Sequence, residues 1–170
     1  MNWMKKVAVA LVCLLPLGLQ AAKIDTLQVK SPSMNKSIEV VVVSPDVAAT
    51  KACPVIYLLH GYGGNACTWV GIKPDLPKIA DEKGIFFVCP DGKNTWYWDS
   101  PLNADVRYET FISNELVKYV DSHYKTVADR KGRAITGLSM GGHGAMWNGL
   151  RHSDVFSLSL IHISEPTRPY

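Results

Sequence analysis

The sequence has little net charge and none of the common phosphate-binding patterns. Its 18 Lys and Arg against 15 Asp and Glu leave a formal charge of +3 over 170 residues. No basic patch therefore indicates a nucleic acid or an anionic membrane as a partner. No G-K-[ST] or G-x-G-x-x-G pattern is present, which argues against a P-loop or a dinucleotide site. The cysteines have no zinc-site spacing either.

The first 21 residues are typical of a cleaved signal peptide. Lys5 and Lys6 precede an apolar run over residues 7–15, and small residues suited to cleavage follow it. The run is too short to span a bilayer comfortably, although an uncleaved membrane anchor stays an alternative. We expect a protein exported to the periplasm or the extracellular space, with no stable membrane insertion after cleavage.

Buried apolar runs alternate with helical patterns through the rest of the chain. Residues 23–31 and 36–46 alternate in polarity and predict antiparallel edge strands. Apolar runs that predict buried strands lie at residues 53–61, 85–92 and 132–139, and helical patterns lie at 75–84, 105–124 and 140–152. This order predicts an α/β fold, with a mostly parallel sheet, antiparallel N-terminal strands and flanking helices. Sites in such sheets lie beyond the carboxyl ends of the strands.

The stretch AITGLSMGGHGA, residues 134–145, places Ser139 between Gly137 and Gly141 at a predicted strand-to-helix turn. The pattern G-x-S-x-G in this setting is that of a nucleophile elbow, where a sharp turn presents the serine hydroxyl. An ordinary glycine turn is the alternative, but the strand and the helix that the motif requires are both predicted. We predict that Ser139 is a nucleophile and that the Met140 backbone N–H donates to an oxyanion.

A second glycine-rich turn, LLHGYGGNACTW at residues 58–69, follows another buried strand. Acyl transfer needs two backbone N–H groups aimed at the oxyanion, and a loop of this kind supplies the second one. We predict Tyr62 as that donor, with Gly61 and Gly63 giving the backbone its freedom. A loop without this role is the alternative. His60 precedes the serine in the chain, so we expect it to support the loop rather than to act as a triad base.

Four segments together resemble the esterase D and feruloyl esterase branch of the α/β-hydrolases. They are VIYLLHGYGGN, FFVCPDG, WYWDSP with YETFISNELVKYV, and AITGLSMGGHGA, which occur in the family's order over about residues 35–157. The resemblance implies an α/β-hydrolase fold, N-terminal part only, with Ser139 as the nucleophile and the Tyr62 and Met140 backbones as the oxyanion hole. It also implies that NTWYWDSP lies near the mouth of the site.

Trp96, Tyr97 and Trp98 in that segment could therefore stack on an aryl or sugar group, and Trp96 and Trp98 are the candidates to line the substrate site. Packing of the aromatic residues under the loop or over the core is the equal alternative.

The chain after Ser139 contains no suitable triad acid and histidine. His143 lies one helical turn beyond Ser139, and His152 lies at the far end of the same predicted helix, where neither can face the hydroxyl from an opposite loop. The segment Leu158 to Arg168 resembles an in-frame translation of a transposon-end sequencing adapter. We therefore expect a signal peptide at 1–21, an incomplete hydrolase domain at 22–157 and a non-native tail at 158–170.

These features predict that the intact gene product is an exported serine carboxylesterase acting through an acyl-enzyme on feruloyl, acetyl or short-chain acyl esters. The substrate is expected to be a small-molecule or polysaccharide-linked ester, with no metal and no cofactor. The 170-residue chain itself is expected to be inactive or nearly so. A non-catalytic carbohydrate-binding homologue and a serine peptidase of the same fold are the alternatives.

Three cysteines follow the predicted signal peptide: Cys53, Cys67 and Cys89. The odd number leaves at least one thiol without an intramolecular partner. Small buried hydrophobic residues are the favoured interpretation. If one pair forms, Cys67 and Cys89 are the better candidates because both follow predicted strands.

Overall fold

The computed structural model describes residues 22–162, so the predicted signal peptide and residues 163–170 lie outside the described residues. The strands are β1 (Lys23–Ser31), β2 (Lys36–Ser44), β3 (Val55–Leu59), β4 (Phe86–Pro90), β5 (Arg133–Leu138) and β6 (Leu158–His162). They form one sheet in the order β1-β2-β4-β3-β5-β6. The β1–β2 and β2–β4 pairs are antiparallel, and the other three pairs are parallel. The predicted mixed sheet is therefore confirmed.

One detail of the strand prediction is wrong. β1 lies at the edge of the sheet as expected, but β2 lies inside it, between β1 and β4. The reason is visible in its sequence, because Val40 to Val43 are four successive apolar residues and all are buried. A strand covered on both faces is an interior strand rather than a half-solvated edge.

Helices cover both faces of the sheet. They are α1 (Thr68–Ile72), α2 (Leu76–Lys83), α3 (Tyr108–Thr110), α4 (Val117–His123) and α5 (Met140–Arg151). The residues between α3 and α4, Phe111–Leu116, wind as a π-helical segment, so the single helix predicted over 105–124 is continuous over 108–123 but locally underwound. Within the described range, no helix is both long and apolar enough to cross a membrane.

Two apolar cores result from the alternation of side chains along the central strands. Tyr57 and Leu59 of β3 point to the face covered by α3, α4 and α5, where they join the larger core. Leu58 points to the opposite face, where it packs in a smaller core with Leu76 and Ala80 of α2. Because helices cover both faces of the sheet, the ends of the strands stay open. Both glycine-rich turns lie at the carboxyl ends of the parallel strands β3 and β5.

The backbone of β6 pairs with β5 in parallel, from Ala134 opposite Leu158 to Leu138 opposite His162. The expectation that residues 158–170 are not native protein stays a prediction.

The three described cysteines are free. Cys53 and Cys89 are buried, as expected of small hydrophobic residues, and burial raises the pKa of the Cys89 thiol. Cys67 departs from that expectation, because it is exposed just before α1.

Candidate active site

The two predicted glycine-rich turns lie side by side at the carboxyl ends of the parallel strands β3 and β5. β3 and β5 are parallel neighbours with Leu59 opposite Gly137, so the residues that follow each strand meet above the edge. A Cβ atom placed on Gly61 would lie 3.4 Å from the Leu138 carbonyl oxygen and 3.7 Å from the Ser139 Cβ. The Gly61 backbone therefore faces Ser139, and a single methyl group would fill the space between them.

Ser139 stands at the tip of a strained turn. Its φ is 51° and its ψ is −113°, a combination that L-residues rarely adopt and that costs about 1–3 kcal/mol. The side chain is exposed, and its hydroxyl has no hydrogen-bond partner among the described residues. Met140 begins α5 directly after it, so the N-terminal end of a helix, with its unpaired N–H groups and partial positive charge, lies beside this hydroxyl.

The glycines flanking Ser139 are required by space. A Cβ atom on Gly141 would lie 2.2 Å from the carbonyl oxygen of Leu59, and one on Gly137 would lie 2.4 Å from the carbonyl carbon of Gly141. Real Cβ atoms do not approach backbone so closely, so only glycine lets α5 rest on the ends of β3 and β5. This close approach places the first turn of α5 against the loop after β3.

Residues 61–64 form a tight turn in which the Gly64 N–H donates to the Gly61 carbonyl at 3.0 Å, with Gly63 at a φ of 77°. In a trans peptide the Gly61 carbonyl and the Tyr62 N–H point in opposite directions. The Tyr62 N–H has no acceptor within the described residues and is available to a ligand. The Tyr62 side chain is 67% exposed and contributes nothing to the core.

His60 is buried beneath this turn in one tautomer. Its Nε2 accepts a hydrogen bond from the Gly92 N–H at 2.9 Å, so the proton is on Nδ1, which donates to the Gly61 carbonyl at 2.7 Å. The Asp91 carboxylate lies 3.5 Å from the same Nε2, but this contact is no ion pair because the Nε2 lone pair is already used. His60 thus contacts the loop through the Gly61 carbonyl, and the supporting role expected of it stays a prediction.

Asp91 contributes a fixed negative charge below the loop. Its burial would raise the pKa of the carboxyl, but hydrogen bonds from the side chain and backbone of Lys93, at 2.6 and 2.9 Å, outweigh burial and leave the pKa below its usual value. The carboxylate is therefore ionised at neutral pH and fixes the turn that presents the Gly92 N–H to His60.

Trp96 and Trp98 both contact α5, and their exposed fractions are 45% and 44%. The Trp96 carbonyl accepts a hydrogen bond from His143 Nδ1 at 3.2 Å, and its indole meets the His143 ring edge-on. Trp98 meets Trp147 in the same manner. Both indoles thus lie along the α5 face that begins at Ser139, since residues 139, 143 and 147 share one face of a helix.

Glu109 is a buried centre of polar contacts that the sequence did not single out. Its carboxylate accepts hydrogen bonds from the Trp147 indole at 2.7 Å, from Arg151 Nε at 2.7 Å and from His152 Nε2 at 2.9 Å. Burial would raise the pKa of this carboxyl, but these donors and the Arg151 charge outweigh it, so the pKa is lowered. Glu109 thereby ties the last turn of α5 to the start of α3.

The histidines whose side chains are described are all engaged away from Ser139. His60 holds the loop, His123 contacts Tyr119, His143 contacts Trp96, and His152 contacts Glu109. Residues 22–162 also bring together no group of three or more His, Cys, Asp or Glu side chains that could hold a metal. None of these four histidines is hydrogen-bonded to the Ser139 hydroxyl.

The roles of two residues could not be assigned from the sequence. Tyr97 is fully buried, whereas its two tryptophan neighbours are exposed. Glu109 lies far along the chain from the basic residues that it binds, and no local pattern connects them. No sequence signal separates Tyr97 from Trp96 and Trp98, because the exposed–buried–exposed pattern of residues 96–98 is visible only in the structure.

Comparison with known proteins identifies the family. The family described as "Putative esterase" matches residues 31–166. An acetyl esterase of Caldicellulosiruptor saccharolyticus is 32% identical over 102 residues, which cover 59% of this chain and 37% of that enzyme. An endo-1,4-beta-xylanase/feruloyl esterase of Xylanibacter ruminicola is 33% identical over 113 residues, or 61% of this chain and 15% of that protein.

Among solved structures, a ferulic acid esterase superposes with a TM-score of 0.69 at 32% identity, covering 81% of this chain and 58% of that one. This chain therefore spans well under two thirds of the length of each of these relatives. The family match, the sheet order and the serine turn agree, and the chain belongs to the esterase family, on a partial α/β-hydrolase fold.

Proposed function

We propose that this protein is a serine carboxylesterase in which Ser139 is the nucleophile. The observation that carries the proposal is the exposed, strained Ser139, which the loop at Gly61 faces at a distance that one methyl group would fill. A structure maintains such strain where function requires it. The strain here exposes the Ser139 hydroxyl at the N-terminal end of α5.

The chemistry follows from this arrangement. The Ser139 oxygen attacks the ester carbonyl carbon as its proton passes to a base, and the carbonyl oxygen becomes an oxyanion. The N–H groups of Tyr62 and Met140 donate to that oxyanion, and the alcohol leaves with a proton. Water then attacks the acyl-enzyme, releases the acid and restores the serine. Preorganised donors of this kind contribute about 2.7–4 kcal/mol each to the stabilisation of the transition state.

The base and its acid are proposed to come from residues outside this chain. The support is that the described histidines are held by other groups, and that relatives extend well beyond the matched region. The 170-residue chain is accordingly proposed to have almost no turnover.

The proposed substrates are feruloyl, acetyl or short-chain acyl esters, free or linked to a polysaccharide. The names of the acetyl and ferulic acid esterase relatives support this range. Trp96 and Trp98 are proposed to line the substrate site, because their exposed indoles lie along the α5 face that starts at Ser139. The residue pattern of 1–21 supports export.

The test uses the product of the complete reading frame at the source locus beside the 170-residue chain. Hydrolysis of p-nitrophenyl acetate and ethyl ferulate is measured for each, with Ser139→Ala and with Ser153→Ala, an exposed serine, as the matched control. We expect turnover by the complete product that Ser139→Ala abolishes and Ser153→Ala retains. Turnover that survives Ser139→Ala would contradict the role of the serine. Ser139-dependent turnover by the 170-residue chain would contradict its proposed inactivity.

A further inference from the structure

Tyr97 lies wholly buried between the loop that follows β3 and the helix α5. We infer that Tyr97 is a positioning residue that fixes the Tyr62 oxyanion donor relative to the Met140 donor. The catalytic consequence rests on the proposed esterase function, whereas the positioning itself rests on contacts of the described residues.

The Tyr97 hydroxyl binds both backbone groups of His60. It accepts a hydrogen bond from the His60 N–H at 2.9 Å and donates to the His60 carbonyl at 3.2 Å. His60 is the first residue beyond β3 and directly precedes the Gly61–Tyr62 peptide. One phenolic oxygen therefore satisfies the backbone at the point where the strand becomes the loop, and it does so in a buried setting where unpaired groups are costly.

The carbonyl and the ring of Tyr97 contact α5. Its carbonyl accepts a hydrogen bond from Asn148 Nδ2 at 3.0 Å, and the same amide donates to the Gly144 carbonyl at 2.9 Å. The Tyr97 ring fits between Gly92 and Gly144, where added Cβ atoms would lie 2.1 and 2.6 Å from ring carbons. A single side chain thus spans the distance from the loop to the helix that carries Met140.

The backbone at Trp96 and Tyr97 is strained, and surrounding contacts must hold it in this conformation. Trp96 and Tyr97 both have a φ of 59°, and bulky residues in this region cost about 1–3 kcal/mol each. The Asn148 and His60 contacts hold Tyr97 there, and the His143 contact holds the Trp96 carbonyl. Two strained residues in succession persist only because loop, strand end and helix determine them together.

The consequence concerns the geometry of the two donors. Gly141 already rests on the Leu59 carbonyl, so the strand end and the helix start touch on one side. Tyr97 joins them on a second side through its hydroxyl and its carbonyl. Without the hydroxyl, the His60 backbone loses its partner and the Gly61–Tyr62 peptide is free to tilt. A displacement of about 1 Å in such a group lowers the rate by up to about 100-fold.

The experiment compares two fully buried tyrosines that differ in one respect. The Tyr97 hydroxyl bridges His60, whereas the Tyr57 hydroxyl has no hydrogen-bond partner within the described residues. Tyr97→Phe and Tyr57→Phe are made in the product of the complete reading frame. For each, kcat and KM for ethyl ferulate and amide hydrogen exchange of residues 60–64 and 24–43 are measured.

We expect Tyr97→Phe to lower kcat by about 10- to 100-fold with KM changed less than about threefold. Exchange at residues 60–64 should rise about 10- to 100-fold, because both hydrogen bonds of the hydroxyl to His60 are lost, while exchange at 24–43 stays unchanged. Tyr57→Phe should leave all of these quantities at the wild-type values.

The outcomes separate the two proposals. Loss of kcat in Tyr97→Phe without a local rise in exchange, or an equal effect of Tyr57→Phe, overturns the positioning role. If the wild type shows no Ser139-dependent turnover, the proposed function fails, but exchange at residues 60–64 still decides on Tyr97. Unchanged exchange in Tyr97→Phe overturns the inference whatever the activity.

Discussion

Replacing Gly141 by alanine tests the packing of α5 on β3. The added Cβ would lie 2.2 Å from the Leu59 carbonyl oxygen and 2.7 Å from that of His60. A comfortable carbon–oxygen contact is about 3.3 Å, so the helix start must retreat by about 1 Å. Overpacking of this kind costs about 1–3 kcal/mol, and alanine regains about 0.5–1 kcal/mol by its preference for helix. Because the obstacle is backbone, which cannot move aside as a side chain can, the cost lies at the upper end of its range. We therefore expect a net loss of about 2 kcal/mol in the free energy of unfolding.

The assay is urea unfolding followed by tryptophan fluorescence, with Gly71→Ala as the matched control. Gly71 lies inside α1, and a Cβ there would meet no atom within 4 Å. This control should therefore be neutral or stabilising by up to about 1 kcal/mol. If Gly141→Ala unfolds at the wild-type urea concentration or above it, the close packing of α5 on β3 does not limit stability, and the steric account of the motif is wrong.

Three further predictions concern a buried carboxylate, the strained turn and the thiols. Glu109→Gln should lower the free energy of unfolding by about 1–3 kcal/mol at neutral pH. Because the folded-state pKa is lowered, this difference should shrink as the pH falls from the ordinary glutamate pKa through the lowered folded-state pKa, below which the carboxyl is protonated in both states; a gap that persists in stronger acid contradicts the assignment. The free energy of unfolding of Ser139→Gly should be about 1 kcal/mol higher than that of Ser139→Ala, because glycine adopts the positive φ of this position without strain. Equal free energies in a urea titration would show that the backbone at residue 139 is not strained. Iodoacetamide should label Cys67 in the native protein, while Cys53 and Cys89 react only after unfolding because they are buried; mass spectrometry of the digested protein checks the order.

The parts of the fold that the sequence predicts are those fixed by local periodicity. β1 alternates in polarity, and the central strands β3 and β4 are unbroken apolar runs. The existence of these strands and their succession along the chain were therefore predictable. Gly84 ends α2 at a φ of 63°, as a glycine after a helical pattern should. The turn around Ser139 was predictable for the same reason, because its steric demands leave glycine on both sides of the serine.

The parts that escape prediction are set by contacts between distant segments. The exposure of Cys67 and the burial of Glu109 depend on what packs against them, and neither follows from neighbouring residues. The aromatic segment is the clearest example, since three similar side chains divide into two that face outward and one, Tyr97, that faces the core. The π-helical winding of Phe111–Leu116 is likewise invisible in a pattern that reads as plain helix.

The pairing of β3 with β5 has a consequence for the order in which the molecule assembles. Val55 pairs with Arg133 and Leu59 with Gly137, residues that lie about 80 positions apart along the chain. Contacts of such long sequence separation form slowly, because a large loop must close before they contribute any stabilisation. The loop after β3 and the helix after β5 are brought together by this same pairing. A nascent or partly refolded chain can therefore hold correct hairpin and helix structure while the loop after β3 does not yet face Ser139, and the site forms only when the central sheet is complete.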